Sequence, residues 1–305
     1  MTGSPWWSVF PAAAALLAVA AAGAVLDGVL DPTGTGPVRA GRPLWETARL
    51  LRQPRRVTLA ADTMLWRIGL AGPLMVALLM IVVVPLGERA VADLPVGLVW
   101  FNAMDVLLWA AVWLAGWGSN SAYGLIGGYR FLAQALGYEL PLMFAITAPA
   151  VAAQSLRVSD VVAAQQSLWF VVQMPVAFVV FLGAIVGFSL WGPFAYPADR
   201  DVAGGVLAEP AGVDRLVLLA GRYALLAAGS AMAAVLFLGG GAGPLLPGWV
   251  WSAVKTLVLL ACLVAMRRRL PTLRADRAMR LAWLVVLPAT LLQVLVVSVI
   301  ALLER

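Results

Sequence analysis

An arginine and a glutamate stand nine residues apart in GWGSNSAYGLIGGYRFLAQALGYELP, residues 116–141, within a chain that is 63% apolar and 12% charged. Three more acids and one base fall in or beside long apolar runs: Asp27, Asp105, Asp62 and Lys255. A charge at the centre of a bilayer costs a few kcal/mol, so such groups imply a partner or a water-filled cavity. Carboxyls held there suit the uptake and release of protons. Asp105 sits mid-run in FNAMDVLLWAAVW, and Glu139 opens GYELPLM, where Pro141 frees a backbone carbonyl one turn earlier. On a helix, Arg130, Gln134 and Tyr138 form one polar stripe, while Glu139 lies about 180° from Arg130 and cannot pair with it. The two acquire separate partners, or the helix breaks at Gly137. Glycine favours the break, between an interfacial helix over Asn120–Leu136 and a span from Ala135. Against a wet path stands a plainer arrangement, with Arg130 snorkelling to the interface and Glu139 a neutral, hydrogen-bonded acid.

The chain has no histidine and one cysteine, Cys262, inside an apolar run. Disulfides, iron–sulfur ligation, histidine-held haem and the usual zinc sites are therefore excluded. No catalytic centre, cofactor or metal site is expected on this chain, so any redox chemistry it serves takes place on another molecule.

Soluble proteins carry about 25% charged residues, twice the fraction here. Several runs of roughly 20 residues hold one charge or none, long enough for a hydrocarbon core of about 30 Å. The runs are continuous rather than alternating, which excludes a β-barrel. The expected fold is all-α, a single integral membrane domain over 1–305. About eight transmembrane helices fit Val9–Leu30, Leu65–Leu86, Val96–Trp117, Ala135–Ala153, Leu168–Trp191, Leu216–Gly239, Trp249–Met266 and Ala278–Leu303. The alanine-rich opening lacks a positive n-region, so it is read as a retained span.

The formal charge of +6 reflects topology rather than nucleic-acid binding. Arg39, Arg42, Arg49, Arg52, Arg55 and Arg56 separate spans one and two, and Arg267, Arg268, Arg269, Arg274 and Arg277 separate spans seven and eight. Opposite loops carry Arg89 and Arg157. The arginine-rich side is cytoplasmic by the positive-inside rule, which leaves both termini outside the cell membrane. Residues 42–57 repeat apolar positions at Leu44, Ala48 and Leu51 among basic ones, as in an interfacial helix on lipid phosphates. In the second basic loop, Pro271 interrupts the helix and Asp276 is placed to cap the next one. Its arginines also satisfy a purely topological role.

GWGSNSAYGLIGGYRFLAQALGYELP closely resembles the signature of the complex I membrane subunit that meets the quinone-reducing arm, the H-type or subunit-1 family, with a pattern near AGWxSNSKYxLLGxxRxxAQxxSYE. Gly116, Trp117, Ser119, Asn120, Ser121, Tyr123, Gly127, Arg130, Ala133, Gln134, Tyr138 and Glu139 match it, and Ala122 replaces a lysine. DLPVG (residues 93–97), GRPLWETARLLRQ, LFLGG (residues 236–240) and RxxxPxxRxD (Arg267, Pro271, Arg274, Asp276) resemble further family segments in order. The acidic loop that follows span five in the family is altered to GFSLWGPFAYPADRDVAGG. Phe188 stands for a glutamate, Trp191 for an arginine and Ala195 for an aspartate, leaving Asp199 and Asp201. Arg222 stands where a glutamate commonly precedes Tyr223. Related subunits serve membrane-bound hydrogenases, and the chain is similar to those in its shorter length.

The resemblance implies a subunit that anchors the peripheral iron–sulfur arm, borders a quinone chamber and leads protons along carboxylates, beside antiporter-like and small membrane subunits. It assigns Glu46, Arg49, Arg130, Arg267, Arg274 and Asp276 to chamber and docking, and Glu139, Asp199 and Asp201 to the proton path. Asp105 joins that path on its mid-span position alone. Alternatives are the anchor of a nickel–iron hydrogenase or ferredoxin-fed relative without quinone, a standalone ion transporter, and a scaffold indifferent to Glu139.

Overall fold

A computed structural model describes residues 6–31, 40–87, 89–198 and 204–303. Among them the structure is all-α, without a strand. The helices are α1 (Val9–Val29), α2 (Arg42–Arg52), α3 (Thr63–Ile81), α4 (Gly97–Trp117), α5 (Ala122–Ala153), α6 (Val158–Ala163), α7 (Phe170–Gln173), α8 (Pro175–Phe188), α9 (Gly212–Phe237), α10 (Gly248–Arg269), α11 (Ala275–Leu281) and α12 (Leu287–Leu303). A π-helical turn over Ala282–Val286 joins α11 to α12. Seven helices are long and apolar enough to cross a membrane: α1, α3, α4, α5, α9, α10 and the run Ala275–Leu303. The chain is a multi-pass membrane protein.

The span expected over residues 168–191 is divided. Proline lacks an N–H and disfavours helical backbone in the residue before it, so Met174 leaves the helical region (φ −136°, ψ 61°) and α8 restarts at Pro175. The 14 residues of α8 give about 21 Å of helix, short of a bilayer core. Helix α5 departs from expectation in the opposite sense. It runs unbroken through Gly137 for 32 residues, about 48 Å, merging the expected interfacial helix with the span. A glycine inside a helix costs only about 1 kcal/mol, whereas each backbone hydrogen bond opened to hydrocarbon costs several.

The bundle forms around α9, whose spanning window is 72% buried. Its wall of Ala224, Ala227, Ala228, Gly229, Ser230, Ala231, Ala233 and Ala234 is buried, and small residues let neighbouring backbones approach where hydrophobic driving force is absent. Helices α1, α3, α8 and α10 pack against it, α4 packs on α3, and α5 connects α4 to α8 and α12. Gly69 lets α3 reach α4: a Cβ there would lie 2.2 Å from the Ala115 nitrogen. The interfacial helix α2 rests on α1 and α9, with Leu50 fully buried and Leu44 and Leu51 facing out.

Lys255 closes the far end of α9. Its Nζ donates to the carbonyls of Leu238, Gly240 and Ala242 at 2.6, 2.9 and 2.6 Å and lies 4.4 Å from the Trp169 ring centroid. All three ammonium protons are satisfied by the negative end of the helix dipole. Lys255→Met would strand those carbonyls, and a loss of about 2 kcal/mol is expected. Faster thermal inactivation of the assembled protein, with the initial electron-transfer rate retained, is the result that checks it.

Candidate functional site

The polar stripe expected on α5 is present, and each member engages a different part of the fold. Arg130 donates from Nη1 to the Gly204 carbonyl at 2.6 Å and stacks 4.1 Å from the Tyr196 ring centroid. Gln134 donates to the Gly187 carbonyl at 2.9 Å. Tyr138 donates to Asp105 Oδ1 at 3.2 Å. The stripe thus fastens α5 to the end of α8 and to the segment beyond it. Glu139 points the other way, as its helical phase requires, and accepts from Asn102 Nδ2 of α4 at 2.8 Å. Because α5 stays continuous, Arg130 and Glu139 are not brought together.

Glu139 meets Asp105 instead. The two carboxyls lie within hydrogen-bonding reach of each other, with residue exposures of 8% and 0%. Asp105 Oδ2 and Glu139 Oε2 are both buried without a hydrogen-bond partner. Among the described residues no arginine or lysine makes an ion pair with either acid.

Above this pair, small polar side chains join the start of α5 to its surroundings. Ser119 Oγ donates to the Gly116 carbonyl at 2.7 Å, Asn120 Nδ2 to the Leu59 carbonyl at 3.1 Å, and Ser121 Oγ to Glu209 Oε1 at 2.7 Å. Glu209 carried no signal in the sequence. Beside Tyr138 lies a cavity of about 230 Å³ lined by apolar groups including Val179, Gly183, Phe194 and Ala282. It opens between α5, α8 and the α11–α12 run, away from α2.

A second cluster gathers at the other end of α1. Asp27 accepts from Arg267 Nη1 at 2.8 Å, from Arg268 Nη2 at 2.7 Å and from the Tyr223 hydroxyl at 3.1 Å. Arg267 also stacks 4.7 Å from the Trp191 ring centroid. Asp31 adds contacts to Arg42 and Arg268. Of this group the sequence singled out Arg267 for the chamber, and Asp27 only as a membrane-buried acid. Trp191 and Arg222, two departures from the family pattern, meet here: Arg222 lies 5.7 Å from the Trp191 ring and donates to the Leu190 carbonyl.

The remaining candidates lie apart. Glu46 and Arg49 pair with each other on α2 at 2.6 Å. The Glu46 hydrogen bond, followed by its charge, holds the Arg49 guanidinium still more firmly protonated. Asp276 does not cap α11, whose N-cap is Arg274 without a side-chain capping bond. It pairs with Arg274 at 3.4 Å and Arg280 at 3.9 Å, because its place inside the first turn aims it along the helix. Asp199 and Asp201 lie outside the described residues.

Known proteins share this architecture. The family profile of NADH dehydrogenase matches residues 29–298. The chain belongs to that family. An H-type membrane subunit of NADH-quinone oxidoreductase from Geobacter sulfurreducens is 37% identical over 276 residues, covering 87% of this chain and 84% of the relative. Its counterpart in Geobacter metallireducens is 36% identical over 284 residues, 90% and 86% of the two chains. That of Geobacillus kaustophilus is 32% identical over 261 residues, 84% and 78%. The chain is thus a membrane subunit of the complex I type, part of a multi-subunit assembly.

The Arg130 contacts are testable apart from any turnover. Arg130→Leu removes a charge-assisted bond worth about 1.5–3 kcal/mol. Amide exchange in residues 204–211 is expected to rise about 10- to 100-fold, measured by mass spectrometry on the assembled complex, while exchange in α9 stays unchanged.

Proposed function

We propose that this chain is the coupling subunit in the membrane arm of a complex I-like respiratory oxidoreductase. It anchors the peripheral iron–sulfur arm, borders the chamber for a quinone tail and carries protons through Glu139 and Asp105. The observation that carries the reading is the buried carboxyl pair without a cation, directly beneath the stripe that fastens the segment after α8. Such a pair accepts and releases a proton with little movement of the backbone, the property a relay needs.

The arginine-rich loops face the cytoplasm, with both termini outside the cell membrane, as the positive-inside rule requires. There Arg274 and Asp276, exposed beyond α10, and the Glu46–Arg49 pair on α2 are available to the arm. Arg267 is committed to Asp27 and Trp191, so its part is to shape the chamber wall. The apolar cavity beside Tyr138 gives a hydrocarbon tail a place next to the titratable groups. Antiporter-like and small membrane subunits complete the assembly. Quinone is the substrate of the whole complex, and this chain holds no redox group.

One observation favours a second reading, a nickel–iron hydrogenase or ferredoxin-fed relative without quinone. Phe188, Trp191 and Arg222 fill family acid or ion-pair positions with buried rings and a guanidinium. Solvent extraction of the purified complex separates the two, since a quinone in near-stoichiometric amount supports the first and its absence the second.

Glu139→Gln is expected to lower proton translocation about 100-fold, assayed in proteoliposomes at a fixed donor concentration. Asp105→Asn should fall with it. If Asp105→Asn pumps normally while Glu139→Gln does not, Asp105 leaves the path. Normal pumping by Glu139→Gln would reject the relay and favour a scaffold.

A further inference from the structure

The geometry points to a single proton shared between Asp105 and Glu139, which makes the two acids one exchange station carrying one negative charge. The inference takes its use from the proton-path reading above, but its foundation is the packing of α4 against α5.

Asp105 is 0% exposed and Glu139 8%, both on helices that cross the membrane. Their free oxygens, Asp105 Oδ2 and Glu139 Oε2, have no donor from any other side chain or backbone, yet the two carboxyls are within hydrogen-bonding reach. Neither acid has an ion-pair partner among the described residues. Two bare carboxylates at this separation would repel each other in a medium that already penalises one buried charge. Two neutral acids would leave a carboxylic O–H competing for acceptors in a pocket where Asn102 already donates to Glu139. One proton between facing oxygens satisfies both groups, and a hydrogen bond to a charged acceptor is the stronger kind.

The neighbours decide where that proton resides. Asn102 Nδ2 donates to Glu139 Oε1 at 2.8 Å, which favours the charged form on Glu139. Asp105 Oδ1 receives the longer bond, from the Tyr138 hydroxyl at 3.2 Å. Trp109, one turn beyond Asp105, is close to the same carboxyl, but its indole N–H forms no well-shaped hydrogen bond. The resting proton therefore belongs to Asp105 Oδ2 and is directed at Glu139 Oε2. A proton arriving at Glu139 makes the pair neutral. Asp105 then releases its own proton to the next oxygen acceptor, and the pair regains one proton and one negative charge. One proton enters and one leaves.

Infrared spectroscopy counts these protons directly. The whole complex, purified through a tag on this chain, would be compared as wild type, Asp105→Asn, Glu139→Gln and the double variant, in the region of protonated carboxyl C=O stretches. The double variant is expected to lose one carboxyl equivalent. Each single variant should keep that intensity with a shifted frequency, because the remaining acid retains the proton. A wild type holding two equivalents more than the double variant, or none, overturns the inference. Should the Asp105 variants fail to assemble, Asn102→Ala is expected to shift the shared band at constant intensity, and an unaltered band overturns it. The count is independent of turnover. One equivalent together with normal pumping in Glu139→Gln would leave the shared proton and remove the path. Two or none together with abolished pumping would do the reverse.

Discussion

An ionised group inside hydrocarbon must find an answering group, and the positions of the spanning helices follow from how each is answered. Asp27 is met by Arg267 and Arg268, which tie the loop after α10 to the end of α1. Lys255 is met by carbonyls at the exposed end of α9. Arg130 is met by the Gly204 carbonyl and the Tyr196 ring. Each solution joins elements distant in sequence, and together they orient the bundle around α9. Asp105 and Glu139 have no cation to answer them, so their charge is held down by sharing rather than by pairing. That difference sets them apart from the structural ions.

The same constraint explains how this chain departs from its family without losing the fold. Trp191 and Arg222 meet each other, with Arg267 on the same ring, so an aromatic face and two guanidiniums occupy a place where the resemblance implies an arginine and a glutamate. Phe188 is fully buried in the core at another such position. Packing there is preserved while acidity is lost. In this chain the buried acids of the membrane interior are concentrated at the α4–α5 contact.

Fold class, family and the Arg130–Gln134–Tyr138 stripe were legible in the sequence, because hydropathy and the 3.6-residue period act locally. The division of the fifth span at Pro175 and the continuity of α5 through Gly137 were not. Both depend on weighing a local propensity against the membrane's demand for closed backbone hydrogen bonds. The partners of the polar groups were hidden for another reason. Arg130 is answered by a backbone carbonyl, which has no side-chain signature, and Asp27 by arginines at the far end of the chain. Asp105 and Glu139 were each visible as misplaced acids, but their contact is a property of helix packing.

The central claim is that this subunit works as the joint between a redox arm and a proton-carrying membrane arm. Mild-detergent purification through a tag on this chain, with mass spectrometry of everything that accompanies it, tests that most directly. Iron–sulfur proteins and antiporter-like membrane subunits are expected in stoichiometric amounts. Recovery of the chain alone, well folded and able to move ions in liposomes, would contradict it.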